Sequence, residues 1–149
     1  PVPDAEHLVP LGVADVKRPG RDVTVVTWSA AVHDALAAAE ALARDGIEAE
    51  VIDLRTLWPW DRERVLDSVA RTGRCVVVHE AVKAGGFGAE IAATVAETLH
   101  DRLKAPVRRL GGPRIPVAYA RTLEDVFRVT GAMIAAACRD AVAGAVPAA

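Results

Sequence analysis

RCVVVHEAVKAGGFGAEI, residues 74–91, is the stretch on which the reading of the chain turns. A short β-branched run (75–78) leads to a polar pair, His79 and Glu80, then a glycine-rich turn, Gly85-Gly86-Phe87-Gly88, then a helical pattern. Strand, glycine turn and helix in that order make the core of a parallel α/β unit. Ligands and partners of such sheets gather at the carboxyl ends of strands, where His79 and Glu80 are expected to fall.

The same alternation extends in both directions. Residues 23–28 (VTVVTW) form a strand, Ser29 is placed to cap a helix over 30–44, Asp45-Gly46 stops it, and residues 50–54 (EVIDL) form the next strand. Strand, helix and strand joined this closely imply a parallel pair. Upstream, the turn-forming cluster at 17–22 predicts a hairpin, so that an antiparallel edge strand leads into the sheet. Asp61 caps a helix ending near Arg71. Ile91, Val95, Leu99 and Leu103 line the helix after the glycine turn, and residues 107–110 supply a last strand. Thr122 is placed to cap a single last helix whose stripe runs Val126, Phe127, Thr130, Met133, Ile134, Ala137 and Ala141. The expectation is a three-layer α/β/α sandwich: a mostly parallel five-stranded sheet with an antiparallel first strand, and four helices. Residues 1–10 read as a linker, 11–143 as the domain and 144–149 as a frayed tail.

Composition narrows the function classes. A net charge of −2 over 149 residues makes no electrostatic case for nucleic acid or an anionic membrane. No apolar run reaches the length of a membrane span. Cys75 and Cys138 are too few for a disulfide framework and sit in apolar patterns, as reduced core thiols of a cytoplasmic protein do.

No complete catalytic set emerges. The run beginning Gly86-Phe87-Gly88 starts like a dinucleotide fingerprint, but Ile91 stands where a small residue is needed, and Arg108 and Arg109 stand where a ribose-binding carboxylate belongs. His79-Glu80 begins a zinc-type HExxH, but Lys83 replaces the second histidine. There is no nucleophile elbow and no phosphate loop. The glycine turn is either an anion-binding helix start or simply a tight turn with Phe87 as a plug. His79 is either a structural histidine fixing that loop or a functional one. Trp58 and Trp60, flanking Pro59, are core plugs or a packing surface.

The ordered series VTVVTWSAAVHDAL (23–36), GIEAEVIDLRTLWPWD (46–61), SVARTGRCVVVHEAVKAGGFGAEIAA (68–93) and APVRRLGGPRIPVAYA (105–120) resembles the C-terminal domain of beta subunits of thiamine-dependent 2-oxo acid dehydrogenases, a transketolase C-terminal-like domain. The resemblance implies an alpha-subunit partner, a second beta subunit and a lipoyl acyltransferase component. It also implies thiamine diphosphate and magnesium in the full enzyme, held between the alpha subunit and a beta-subunit domain preceding Pro1, and not by this domain. No residue here is expected to be catalytic, cofactor-binding or metal-binding. His79, Glu80, Gly85, Gly86, Phe87 and Gly88 match the family signature as structural or interface features; Asp53, Arg55 and Thr56 match its DLRT motif; Trp58 and Trp60 lie in a loop similar to that of branched-chain members. Two departures stand out: residues 81–84 (AVKA) differ from the family's loop, and the match fades after Arg121. The alternative is a stand-alone regulatory module binding a small molecule or nucleotide, which a thermal-shift screen would reveal.

Overall fold

In a computed structural model the chain is described at Asp4 and over residues 8–145. The expected linker falls mostly, and the expected tail partly, outside those residues. Five strands, β1 (Asp15–Arg18), β2 (Val23–Thr27), β3 (Ala49–Asp53), β4 (Cys75–Val82) and β5 (Arg108–Gly112), form one sheet in the order β1-β3-β2-β4-β5. All neighbours are parallel except β1, which is antiparallel to β3. Helices α1 (Ala31–Arg44) and α5 (Gly131–Val142) cover one face; α2 (Arg62–Thr72) and α3 (Gly88–Leu99) cover the other. The expected three-layer sandwich is the observed one.

Strand alternation builds both cores. Val23, Val25, Val51, Val76 and Val78 meet Ala35, Ala38, Leu42, Ile134 and Ala137 on the first face. Val26, Ile52, Cys75 and Val77 meet Val65, Val69, Ile91 and Val95 on the second. Alternate residues of a strand point to opposite faces, and these strands are apolar on both, as a parallel sheet covered by helices requires. One buried polar cluster is well paired. The buried Glu50 carboxylate accepts hydrogen bonds from Ser68 Oγ and Arg71 Nη2, and Ser68 is linked onward to Thr24 Oγ1 at 2.7 Å. Burial alone would raise the Glu50 pKa, but the Arg71, Ser68 and Gly20 N–H bonds outweigh it and hold the carboxyl below its usual range. Arg74 caps α5, donating to the carbonyls of Ala141 and Val142, where the helix dipole favours a cation.

Four local expectations are corrected. The turn at 17–22 closes no hairpin: β1 pairs with β3, because both edges of β2 are taken by parallel neighbours. The turn instead packs over the start of β3, with the N–H groups of Arg21 and Asp22 both donating to Glu48 O at 3.0 Å. Ser29 gives α1 no side-chain cap; it sits at φ 59° and only its carbonyl serves, accepting from Val32 N–H. β4 does not end at Val78 but runs through His79 and Glu80 to Val82. The single last helix is two, α4 (Arg121–Phe127) and α5, so there are five helices among the described residues. Thr130 takes an extended conformation and its Oγ1 accepts from Met133 N–H, starting a new helix where the apolar stripe appeared continuous.

Candidate functional site

The carboxyl end of β4 is where the signature residues separate. His79 follows Val77 in alternation and points toward α3; Glu80 follows Val78 and points toward α1. His79 is fully buried. Its ring stacks on Trp28, with centroids 5.3 Å apart and planes 20° apart. Its Nδ1 lies 3.0 Å from Ala81 O; a carbonyl only accepts, so Nδ1 carries the proton. Nε2 is then a lone pair, buried and without a partner. Burial pushes the imidazole below its ordinary pKa, against the Ala81 bond and with a small push from Arg109, so the ring is neutral at neutral pH.

Glycines wall this ring. A Cβ on Gly88 would stand 2.6 Å from His79 Cδ2, and one on Gly86 would stand 2.7 Å from Cε1 and 2.5 Å from Val82 O. Gly111 on β5 is similarly close, 2.9 Å from Cε1 and from Ala81 O. Phe87 closes the outer side, meeting Trp28 and Trp60 edge-on at 6.2 and 6.4 Å. Gly85 differs: nothing lies within 4 Å of its Cβ position, and its φ of +77° is what the turn requires. The amides of Ala89, Glu90 and Ile91 donate back to the carbonyls of Gly86 and Phe87. The glycine turn is thus a tight wrap around an imidazole.

The second group of expected residues braces the β1 end of the sheet. Asp53 Oδ1 accepts from Arg55 N–H at 3.0 Å, Arg55 stands at φ 59°, and its guanidinium meets Asp15 at 2.8 Å. Thr56 Oγ1 accepts from Gly12 N–H and donates to Pro59 O, at 2.9 and 2.8 Å. Asp61 caps α2 through Arg64 N–H and also accepts from Ala14 N–H. The 53–61 loop therefore fastens the segment entering β1 by side-chain hydrogen bonds. Trp60 is half-buried against Phe87, whereas Trp58 projects with 82% of its surface exposed, near the exposed Leu57.

Glu80 lines a separate cavity of about 300 Å³ with Asp34, Glu124, Phe127 and Arg128. His79, Gly86, Phe87, Gly88 and Trp60 come together; Glu80, Gly85 and Trp58 do not join them. Trp28 and Gly111 complete the histidine cage and were missed from sequence. Trp28 was findable, since it stands two residues after Val26 on the same face. Both cysteines are buried, and burial pushes each thiol up to about 12. Among the described residues no three His, Cys, Asp or Glu groups are placed to hold a metal ion, and no helix is long and apolar enough to cross a membrane.

The model of the family described as "Transketolase, C-terminal domain" matches residues 12–134. The chain is 44% identical over 140 residues to the 2-oxoisovalerate dehydrogenase subunit beta of Bacillus subtilis, covering 93% of this chain and 43% of that protein. It is 45% identical over 143 residues to the acetoin:2,6-dichlorophenolindophenol oxidoreductase subunit beta of Cupriavidus necator, covering 96% and 42%. Among solved structures, a split-gene transketolase described as an inactive beta4 tetramer superimposes with a TM-score of 0.76 at 30% identity, covering 91% of this chain and 44% of that one. The chain thus spans about two fifths of the length of these curated relatives.

Proposed function

The chain belongs to the transketolase C-terminal domain family, and from that premise we propose that it is the C-terminal domain of the beta subunit of a thiamine diphosphate-dependent 2-oxo acid dehydrogenase. Such an enzyme decarboxylates a 2-oxo acid oxidatively and passes the acyl group to a lipoyl carrier. The domain's part is assembly and support of the active-site region, in a cytoplasmic complex with an alpha subunit, a second beta subunit and a lipoyl acyltransferase.

The observation that carries this reading is the histidine cage. The one ionisable ring beside the signature turn is fully buried, neutral and wrapped by Gly86, Gly88 and Gly111. A side chain so enclosed shapes a loop and does not exchange protons with a substrate. Thiamine diphosphate with magnesium finds little to hold it here: among the described residues no carboxylate or histidine cluster is placed for the metal. On this reading the cofactor's chemistry, decarboxylation and acyl carriage, is supplied where the alpha subunit meets another domain of the beta subunit. Asp53, Arg55, Thr56 and Asp61, which fasten the entry to β1, then brace the side where that part joins, and the exposed Trp58 faces a neighbouring chain. The likeness of the Trp58-Pro59-Trp60-Asp61 loop to that of branched-chain members supports a branched-chain 2-oxo acid ahead of pyruvate and acetoin as substrate.

The test is reconstitution. The full beta polypeptide carrying this domain, mixed with its alpha partner, thiamine diphosphate and magnesium, is assayed for dye reduction driven by 2-oxoisovalerate, pyruvate or acetoin. Turnover with 2-oxoisovalerate ahead of the others is expected; none with any of the three refutes the reading. Calorimetry of the 149-residue chain alone is expected to show no saturable binding of thiamine diphosphate.

A further inference from the structure

On the β5 side of the sheet's carboxyl edge, beyond the histidine cage, lies a groove of about 480 Å³ lined by Lys83, Arg109, Arg114 and the backbone of Gly111, Gly112 and Pro113. Its charge is one-sided: three cations and no carboxylate line it, in a chain whose net charge is −2. The cations are uncompensated as well. Six of the chain's 18 Lys and Arg residues meet a carboxylate within 4.0 Å, and Lys83, Arg109 and Arg114 are among those that meet none in the described residues. Like charges gathered in a concavity repel one another, and that cost is relieved when an anion binds between them.

The groove is held in shape. Lys83 N–H donates to Gly112 O at 2.8 Å, and Arg109 Nη1 donates to Lys83 O at 3.0 Å, which fixes one edge of the guanidinium and leaves its other N–H groups available. Gly111 lets the loop lie down: its missing Cβ would come within 2.9 Å of Ala81 O and 3.1 Å of Lys83 Cα. The result is an anchored guanidinium with an exposed ammonium and a second guanidinium at its rim. Planar guanidinium forks match phosphate oxygens two at a time, and lysine adds a point charge. The lining offers no apolar side chain larger than proline's ring, so a greasy guest gains little there. The groove's volume is within the span of about 300–1,000 Å³ usual for small-molecule sites.

We propose that this groove binds a compact phosphate-bearing small molecule, its phosphate oxygens held by Lys83, Arg109 and Arg114. The site is separate from the Glu80 cavity, which is acidic, and does not depend on the enzyme assignment above.

Pyrophosphate, inorganic phosphate, ADP and citrate are titrated in turn into the full ¹⁵N-labelled chain at low ionic strength, with backbone amides followed by NMR. Saturable shifts at Lys83, Gly111, Gly112 and Arg114 are expected, tighter for pyrophosphate than for phosphate. In the double variant Lys83→Ala/Arg114→Ala, whose altered side chains are exposed, the melting temperature should hold while pyrophosphate affinity falls by about tenfold or more. ADP binding more tightly than pyrophosphate assigns the source to nucleotides, and weaker binding to free polyphosphate; both support the site. No saturable shift with pyrophosphate, unchanged affinity in the folded double variant, or citrate binding more tightly than pyrophosphate overturns it.

Discussion

Replacing Gly88 with alanine places a methyl group 2.6 Å from His79 Cδ2, 2.7 Å from Nε2 and 3.1 Å from Val77 Cγ1. The backbone itself has no objection, since Gly88 is the first residue of α3 and lacks a positive φ. By helix propensity alone alanine gains up to about 1 kcal/mol. Any loss must then come from the imidazole, which has no room to retreat. Its far face is on Trp28, its Nδ1 is tied to Ala81 O, and none of it reaches solvent. Overpacking a closed site costs about 1–3 kcal/mol, and pushing the ring off Ala81 O adds about 1 kcal/mol. The net expectation is a loss of about 2 kcal/mol, read as a lower urea midpoint with an unchanged slope. Combining the change with His79→Ala removes the obstacle, so Gly88→Ala should then be neutral or stabilising by up to about 1 kcal/mol, a coupling of about 2–3 kcal/mol. Gly85→Ala is the control. With nothing near its Cβ position, it should lose about 1 kcal/mol from its φ of +77° alone, and lose it equally with or without the ring. A Gly88→Ala variant as stable as the parent, or equally destabilised in both backgrounds, would refute the cage.

Three further outcomes follow from buried groups. Burial depresses the His79 pKa, so below 6.5 the unfolded chain takes up a proton the native ring resists; stability should be full above that value and fall as the pH drops toward the lower native one. Denaturation of His79→Asn, which keeps a donor for Ala81 O, should lack that slope below about pH 6.5. Cys75 and Cys138, each pushed up to about 12 by burial, should resist alkylation at pH 8 until the chain is unfolded, so labelling should track global opening; prompt labelling of the native chain would contradict their placement. Glu50→Ala should cost about 2–3 kcal/mol in urea titrations, because Ser68 and Arg71 lose their acceptor; a change under about 0.5 kcal/mol would show the cluster to be dispensable.

The strands and most helices were legible because local chemistry and global packing agree there. VTVVT, EVID and CVVV are β-branched on both faces, Asp61 and Gly73 bracket α2, and Gly46 ends the turn after α1. The failures fall where a distant partner decides. Residues 17–22 carry good hairpin chemistry, yet β3 arrives later in the chain and takes both β1 and the flank of β2. Val126 and Phe127 continue the apolar stripe of α5, so nothing periodic marks the break at Arg128; the signal was Thr130 before Gly131, a capping pair inside a stripe. Val126 proves 82% exposed, which no periodicity foretells. At β4 the apolar run stops at Val78 while the strand does not, because His79 is buried by glycines whose close approach has no sequence pattern of its own.

Adjacent in sequence, His79 and Glu80 look like an acid–base pair, yet strand alternation sends them to opposite faces of the sheet, and no single ligand meets both. What links the two faces is the irregularity in β4. Val78 pairs with Leu110 and Val82 with Gly112, so four steps along one strand match two along the other. Two surplus residues must arch out of the ladder, and a bulge of this kind re-aims the chain that follows. In an unbroken register Val82 would lie opposite Arg114; the arch holds it two residues back, which brings Lys83 over Gly112 and within reach of Arg109. Gly111 is the position under the arch, and the His79 ring fills the space beneath it. The same distortion thus encloses the histidine and gathers the cations, so the buried signature and the exposed groove are two consequences of one backbone event.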